Sequence, residues 1–305
     1  MTLPLHDPAW LERMYNNRAL VPDHMDYLQR WAQESAHVRA TVPCVLDVPY
    51  GAGAGETLDI FPSARASGGL GFGAVAGAPS AGVPVLVFIH GGYWRSLDKS
   101  DHSFIAPPFT QAGFCVVVVN YALCPGTPEA PVTIPHIVRQ MEKALGWVWH
   151  HIAVHGGDPR RITVAGHSAG GQLAAMLLTS VWPLIGNGLP DGLVRNALSI
   201  SGVHDLDPMM YTPMYQQVLN LTDQQVLQYS PARLLEPATG QLYCAVGGDE
   251  SAEFLRQNQL MQDAWGSHFV PRSQVLPGLH HFSIVDALAR PGHDLHHMAL
   301  NLLRA

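Results

Sequence analysis

Three runs at 85–89, 115–120 and 162–165 constrain this chain most, because nearly every position in them is apolar, as in Val85-Leu86-Val87-Phe88-Ile89. A strand that is apolar at every position has no face to turn to water, so each run belongs inside a sheet covered on both sides. Stretches of helical character separate them, at about 101–112, 134–152, 170–181, 252–264 and 283–303, and further strands read at 197–201, 242–246 and about 273–276. Strands interleaved with helices in this way predict an α/β fold with a mostly parallel central sheet and helices on both faces.

The 305 residues, 47% hydrophobic and 13% charged, suffice to bury the core of one α/β domain spanning 1–305. Residues 1–40 read as an amphipathic helical segment broken at Pro22, with Trp10, Leu11, Met14, Tyr15, Tyr27, Leu28 and Trp31 at helical spacing; such a segment covers the core or lids a site. Strands at 42–48 and 57–61 follow, then a Gly/Ala/Ser loop at 63–82 too poor in large apolar groups to pack. The Pro- and Met-rich stretch 205–237 interrupts the alternation and reads as a small cap.

A net charge of −7 without any block of Lys or Arg excludes a nucleic-acid or anionic-membrane surface, both of which need clustered positive charge. The N-terminus has no basic region followed by an apolar stretch, and no segment approaches the ~20 apolar residues that span a bilayer. Cys44, Cys115, Cys124 and Cys244 form no C-x-x-C pair, which predicts buried free thiols in a reducing cytoplasm. Among the seventeen histidines, His293, His296 and His297, and likewise His151 and His155, have the spacing of a shared helix face. No H-E-x-x-H and no matching acidic or cysteine ligand accompanies them, so solvated surface histidines are expected, with no metal and no cofactor. The expected partner is a small-molecule substrate; a homodimer is left open.

Chemistry enters at Gly166-His167-Ser168-Ala169-Gly170, a Gly-x-Ser-x-Gly pentapeptide that follows the strand at 162–165 and opens a helix. A serine hydroxyl is a weak nucleophile at neutral pH, so it must stand exposed on a sharp turn where a base reaches it. Upstream, the run 85–89 ends in His90-Gly91-Gly92-Tyr93-Trp94. Adjacent glycines there let the N–H groups of Gly92 and Tyr93 join that of Ala169 as an oxyanion hole. An acid and a histidine should follow the serine in the chain. The strand at 242–246 runs into Gly247-Gly248-Asp249-Glu250-Ser251, and Val275-Leu276 leads into Pro277-Gly278-Leu279-His280-His281-Phe282. Two carboxylates and two histidines compete, and spacing does not choose between them.

His90-Gly91-Gly92-Tyr93-Trp94 resembles the H-G-G-x-W motif of the kynurenine formamidase (arylformamidase) group within the α/β-hydrolase superfamily. Generic lipase-like esterases usually carry a third glycine where this chain has Tyr93. Similar stretches are Tyr15-Asn16-Asn17-Arg18, Asn120-Tyr121-Ala122-Leu123-Cys124-Pro125, Ser201-Gly202-Val203-His204-Asp205-Leu206 and Glu250-Ser251-Ala252-Glu253-Phe254-Leu255-Arg256-Gln257. The resemblance implies an α/β-hydrolase fold and hydrolysis of an aryl formamide such as N-formyl-L-kynurenine. It also implies Ser168, Glu250 and His281 as nucleophile, acid and base, since in that group the acid precedes this Ser and the base precedes a Phe. Trp94 is expected either to line the acyl side of the site or to form a wall of the core. A carboxylesterase for short-chain or aryl esters shares every one of these motifs, and a non-catalytic binding protein on the same fold is the third reading.

Overall fold

The computed structural model describes residues 3–64 and 82–305. Eight strands, β1 (Val45–Pro49), β2 (Thr57–Phe61), β3 (Val83–Ile89), β4 (Cys115–Val119), β5 (Gly157–His167), β6 (Val194–Ile200), β7 (Gln241–Gly247) and β8 (Arg272–Leu276), form one sheet in the order β1-β2-β4-β3-β5-β6-β7-β8. β1 and β2 pair antiparallel and β2 runs antiparallel to β4, while every pairing from β4 to β8 is parallel. This is the mostly parallel, helix-covered sheet that the alternation of runs predicts, and it fits the α/β-hydrolase fold that the resemblance implies.

The continuous apolar strands follow from burial on both faces. Val85, Val87 and Ile89 of β3 and Val117 and Val119 of β4 join one hydrophobic core. Their neighbours Leu86, Phe88, Val116 and Val118 join the other. Helices Ile134–His151 and Ala169–Thr179 cover the first face; the former buries Ile134, Ile137, Met141, Leu145 and Val148 at three- and four-residue intervals. Helices Ala106–Gln111 and Asp294–Arg304 cover the second.

The strand order also fixes where chemistry can sit. The chain leaves β3 for β4 on one side, then crosses back past β3 to lay β5 on the other. Connections that diverge from adjacent parallel strands open a crevice at their carboxyl ends. The His90-Gly91-Gly92 loop follows β3 and Ser168 follows β5, so both motifs meet at that crevice.

Several elements differ from expectation. The helix expected at about 101–112 is helical only over Ala106–Gln111, preceded by 3₁₀ turns Lys99–Asp101 and Ser103–Ile105. The C-terminal helix is two, Ser283–Leu288 and Asp294–Arg304, because Pro291 and Gly292, at φ +87°, end the first and turn the chain. The first strand begins at Val45 rather than at 42, and helix His24–Thr41 ends one residue past the expected segment. The expected cap at 205–237 consists of short helices Asp207–Met210, Pro213–Leu219 and Asp223–Tyr229 and a 3₁₀ turn Pro231–Arg233. Of the loop expected at 63–82, positions 65–81 lie outside the described residues.

Two histidine expectations need correction. His293 caps its helix by accepting the Leu295 N–H, and His296 is 3% exposed, with Nδ1 donating to the Leu288 carbonyl at 2.9 Å. That buried ring packs on Phe109 at 4.6 Å, so it is a core residue rather than a solvated one. Cys115, Cys124 and Cys244 are buried, Cys44 is half-buried, and all are free thiols.

Candidate active site

Strand β5 ends at His167 and helix Ala169–Thr179 begins two residues later, so Ser168 occupies the turn between them at φ +56°, ψ −117°. This backbone conformation is costly for a residue with a side chain and persists only where the surroundings over-determine it. The two flanking glycines allow it: a Cβ on Gly166 would lie 2.0 Å from the Gly170 carbonyl oxygen, and one on Gly170 would lie 2.1 Å from that of Ile89. The Ser168 N–H donates to the Ile200 carbonyl at 2.8 Å, holding the turn against β6. The Ser168 Oγ itself makes no hydrogen bond among the described residues.

The two competing carboxylates separate by geometry. Glu250 Oε2 accepts the His281 Nδ1–H at 2.7 Å, and its Oε1 accepts from Ser201 Oγ at 2.5 Å and from the Gly247 N–H at 2.8 Å. Its side chain is fully buried. Asp249 is exposed, and its backbone N–H bonds to the Leu279 carbonyl. Helix Ala252–Phe269, capped by the Ser251 side chain, begins just after Glu250 and anchors the acid loop.

The two histidines separate as clearly. His280 Nδ1 accepts the N–H groups of Phe282 and Ser283, while its Nε2 meets the Tyr27 hydroxyl at 3.2 Å. That ring braces the loop against helix His24–Thr41. Because His281 gives its Nδ1–H to Glu250, its Nε2 carries the lone pair, and the residue shares a cavity of about 240 Å³ with Ser168.

His167, which the sequence did not single out, adds a second tie. Its Nε2–H donates to the His281 carbonyl at 2.9 Å, so Nδ1 is unprotonated, and it has no partner. Burial, with His281 alongside, pushes the His167 pKa well below the usual histidine range. A neutral ring therefore stands 4.6 Å from that of His281.

Gly92 and Tyr93 line the same cavity, and among the described residues neither of their N–H groups, nor that of Ala169, donates to a protein acceptor. His90, ahead of them, stacks on Tyr121 at 4.2 Å and bonds to Asn120 Oδ1 at 3.0 Å, fixing the root of the loop. Trp94 does not line the cavity. It is fully buried, donates its Nε1–H to Gln172 at 3.2 Å and packs in the core, which corrects the reading of it as a substrate contact.

The rest of the cavity lining comes from elsewhere in the chain. Asn17 and Arg18, from helix Asn17–Leu20, and Trp31 join Met214 and Tyr215 of the 205–237 stretch, so residues of the N-terminal segment line the cavity as well as packing in the core. Arg95 also lines it, its guanidinium 6.0 Å from the Tyr215 ring centroid. Spacing does not reveal these residues, because they reach the cavity through packing of distant segments. The Tyr15-Asn16-Asn17-Arg18 stretch is the one signal in the sequence that touches them. Among the described residues no group of three or more His, Cys, Asp or Glu stands close enough to hold a metal ion.

Several known proteins are similar to this chain. A model of the BD-FAE family matches residues 76–211. Kynurenine formamidase of Danio rerio is 27% identical over 300 residues, covering 96% of this chain and 92% of its own length. Esterase LipQ of Mycobacterium tuberculosis is 32% identical over 165 residues, 52% of this chain and 35% of that protein. The crystal structure of a putative thioesterase from a Silicibacter species superposes with a TM-score of 0.78 at 28% identity, covering 97% of this chain and 99% of that one.

Proposed function

We propose that this chain, a member of the kynurenine formamidase-like group of the α/β-hydrolase superfamily, is a serine hydrolase that cleaves an aryl formamide, N-formyl-L-kynurenine first among them. His281 Nε2 takes the Ser168 proton as Oγ attacks the formyl carbon. The carbonyl oxygen gains the negative charge, which the N–H groups of Gly92, Tyr93 and Ala169 receive. Glu250 holds the imidazole in the tautomer that can accept a proton and stabilises the imidazolium. His281 then protonates the leaving arylamine, the C–N bond breaks, and a formyl-serine remains. Water, deprotonated by His281, attacks that ester and releases formate and free Ser168.

The observation that carries this reading is the 2.7 Å bond between Glu250 and His281, in a loop that shares its cavity with a serine at φ +56°. The substrate class rests on similarity along nearly the whole chain to the Danio rerio protein and on the cavity's own chemistry. Tyr93 and Tyr215 line the cavity with aromatic side chains suited to an aryl group, and the guanidinium groups of Arg18 and Arg95, which also line it, suit a carboxylate on the leaving side. Free thiols and the absence, among the described residues, of any helix long and apolar enough to cross a membrane are compatible with a cytoplasmic enzyme.

The second reading, a carboxylesterase for short-chain or aryl esters, is favoured by the similarity to esterase LipQ. Comparing kcat/KM on N-formyl-L-kynurenine and p-nitrophenyl acetate decides between them: a large preference for the ester sinks the formamidase reading. A binding protein without catalysis would fail to label at Ser168 with a fluorophosphonate.

A further inference from the structure

The loop that carries Gly92 and Tyr93 is under backbone strain. Gly92, Tyr93 and Trp94 stand at φ +100°, +51° and +55°, three left-handed residues in a row, two of them with bulky side chains. Such a run needs external restraint. Part of it is local: the Gly92 carbonyl accepts the N–H groups of Arg95 and Ser96 and the Ser96 hydroxyl, and the Trp94 side chain is locked in the core. The Tyr93 side chain is held from outside the loop altogether. Its hydroxyl donates to the Tyr15 carbonyl at 2.7 Å and accepts from Asn17 Nδ2 at 3.1 Å, and its ring stacks on Tyr215 at 4.2 Å. Burial pushes the phenol pKa well above its usual range, so the hydroxyl keeps its proton.

The segment that grips Tyr93 is itself tied to helix Ala252–Phe269, which follows Glu250. The Tyr15 hydroxyl donates to Glu253 Oε1 at 2.7 Å and accepts from Gln257 Nε2 at 3.1 Å. Glu253 is fully buried, also receives both Nε and Nη2 of Arg256, and follows Glu250 by three residues. A continuous set of bonds thus runs from the helix behind Glu250, through Tyr15 and Asn17, to the side chain of Tyr93.

We infer that the Tyr15 to Asn17 stretch is a positioning element of the catalytic site: by gripping the Tyr93 hydroxyl it sets the direction of the Gly92 and Tyr93 N–H groups toward the developing oxyanion. Asn17 and the Tyr93 phenol are positioning residues that act through that main chain. The inference rests on the oxyanion role proposed above for these two N–H groups.

The test is steady-state kinetics of Tyr93→Phe, which keeps the ring stack and removes both hydroxyl bonds, and of Asn17→Ala, which removes one. Misaimed donors are felt in the transition state and hardly in the ground state. For Tyr93→Phe, kcat should fall by on the order of tenfold on both N-formyl-L-kynurenine and p-nitrophenyl acetate, with KM within about twofold and the melting temperature little changed. Asn17→Ala should lower kcat less, and the double variant should be no slower than Tyr93→Phe alone, since both act through one hydroxyl. Binding of an aryl trifluoromethyl ketone, whose adduct carries the oxyanion, should weaken in parallel with kcat. Overturning results are an unchanged kcat with only a lowered melting temperature, or strictly additive losses; if Tyr93→Phe does not fold, an Asn17→Ala enzyme with unchanged kcat and unchanged ketone binding overturns it by itself. Ser168→Ala run alongside separates the two readings, because turnover retained there removes the nucleophile assignment, whereas turnover lost there with Tyr93→Phe unaffected removes only this inference.

Discussion

Replacing Glu250 by Gln reverses one hydrogen bond while leaving the shape of the site intact. Glu250 Oε1 already takes two donors, Ser201 Oγ and the Gly247 N–H, so the amide oxygen of Gln is held in that position. The amide nitrogen must then face His281 Nδ1, where Oε2 now accepts at 2.7 Å. Two donors cannot meet, so the imidazole shifts its proton to Nε2 and presents an N–H instead of a lone pair to Ser168. A base in the wrong tautomer cannot take the serine proton, a defect worth about 10⁴ in kcat, or about 5 kcal/mol of barrier. Asp249→Asn is the matched control: that side chain is exposed and its loop bond is made by the backbone, so turnover should stay within about twofold. Rates on an aryl formamide and on p-nitrophenyl acetate, with near-UV circular dichroism as the check on folding, measure both. A Glu250→Gln enzyme keeping more than about a tenth of wild-type turnover, or a greater loss in Asp249→Asn, refutes the reasoning.

Four further outcomes are expected. Arg18→Ala should raise KM for N-formyl-L-kynurenine about tenfold while leaving that for a neutral aryl ester unchanged; equal changes on both would remove the carboxylate role. His167→Phe keeps a ring against His281 but loses the donor to its carbonyl, and should lower kcat by about tenfold, read against a melting temperature that moves by only a few degrees. Lys99 Nζ sits 2.7 Å from both Asp47 and the fully buried Asp59, so Lys99→Met strands a carboxylate and should cost about 3–5 kcal/mol in denaturant unfolding. Acid stability follows from His102 and His204, both buried neutral with pKa values lowered to about 3 by burial. The unfolded chain protonates them near pH 6.5, so their contribution is complete above that pH and is lost at about 1.4 kcal/mol per unit for each as pH falls toward 3. Unfolding midpoints between pH 7 and 5 should drop accordingly, and His102→Phe should flatten the slope by about one proton.

What was legible in the sequence is what local physics decides. Strands buried on both faces must be apolar throughout, so β3, β4 and the inner half of β5 announced themselves. Glycines that cannot carry a Cβ marked the turn at Ser168 because Gly170 meets the Ile89 carbonyl there. The outer half of β5, Gly157 to Arg161, was not legible, since it carries Asp158, Arg160 and Arg161 and lacks the apolar signature of its inner end. Trp94 stayed open between cavity and core for a related reason: a large aromatic beside a glycine loop packs as readily into the core behind it as into the cavity before it, and only the direction of its side chain, toward Gln172, decides.

The doubled residues show why motif order alone stops short. Asp249 and Glu250 stand next to each other on one turn, as do His280 and His281, so either member of each pair satisfies the required sequence of serine, acid and base. Adjacent residues on a turn point in different directions: Glu250 turns inward onto His281 while Asp249 is exposed, and His281 lines the cavity while His280 turns to Tyr27. His280 is then free to brace the loop through Tyr27 and the N–H groups of Phe282 and Ser283. The brace leaves the neighbouring ring unburdened: one imidazole holds the loop in place, and the other keeps its Nδ1–H for Glu250. His167 secures the same loop from the end of the strand that leads into Ser168, which ties Ser168 and His281 to one another through the backbone before any substrate arrives.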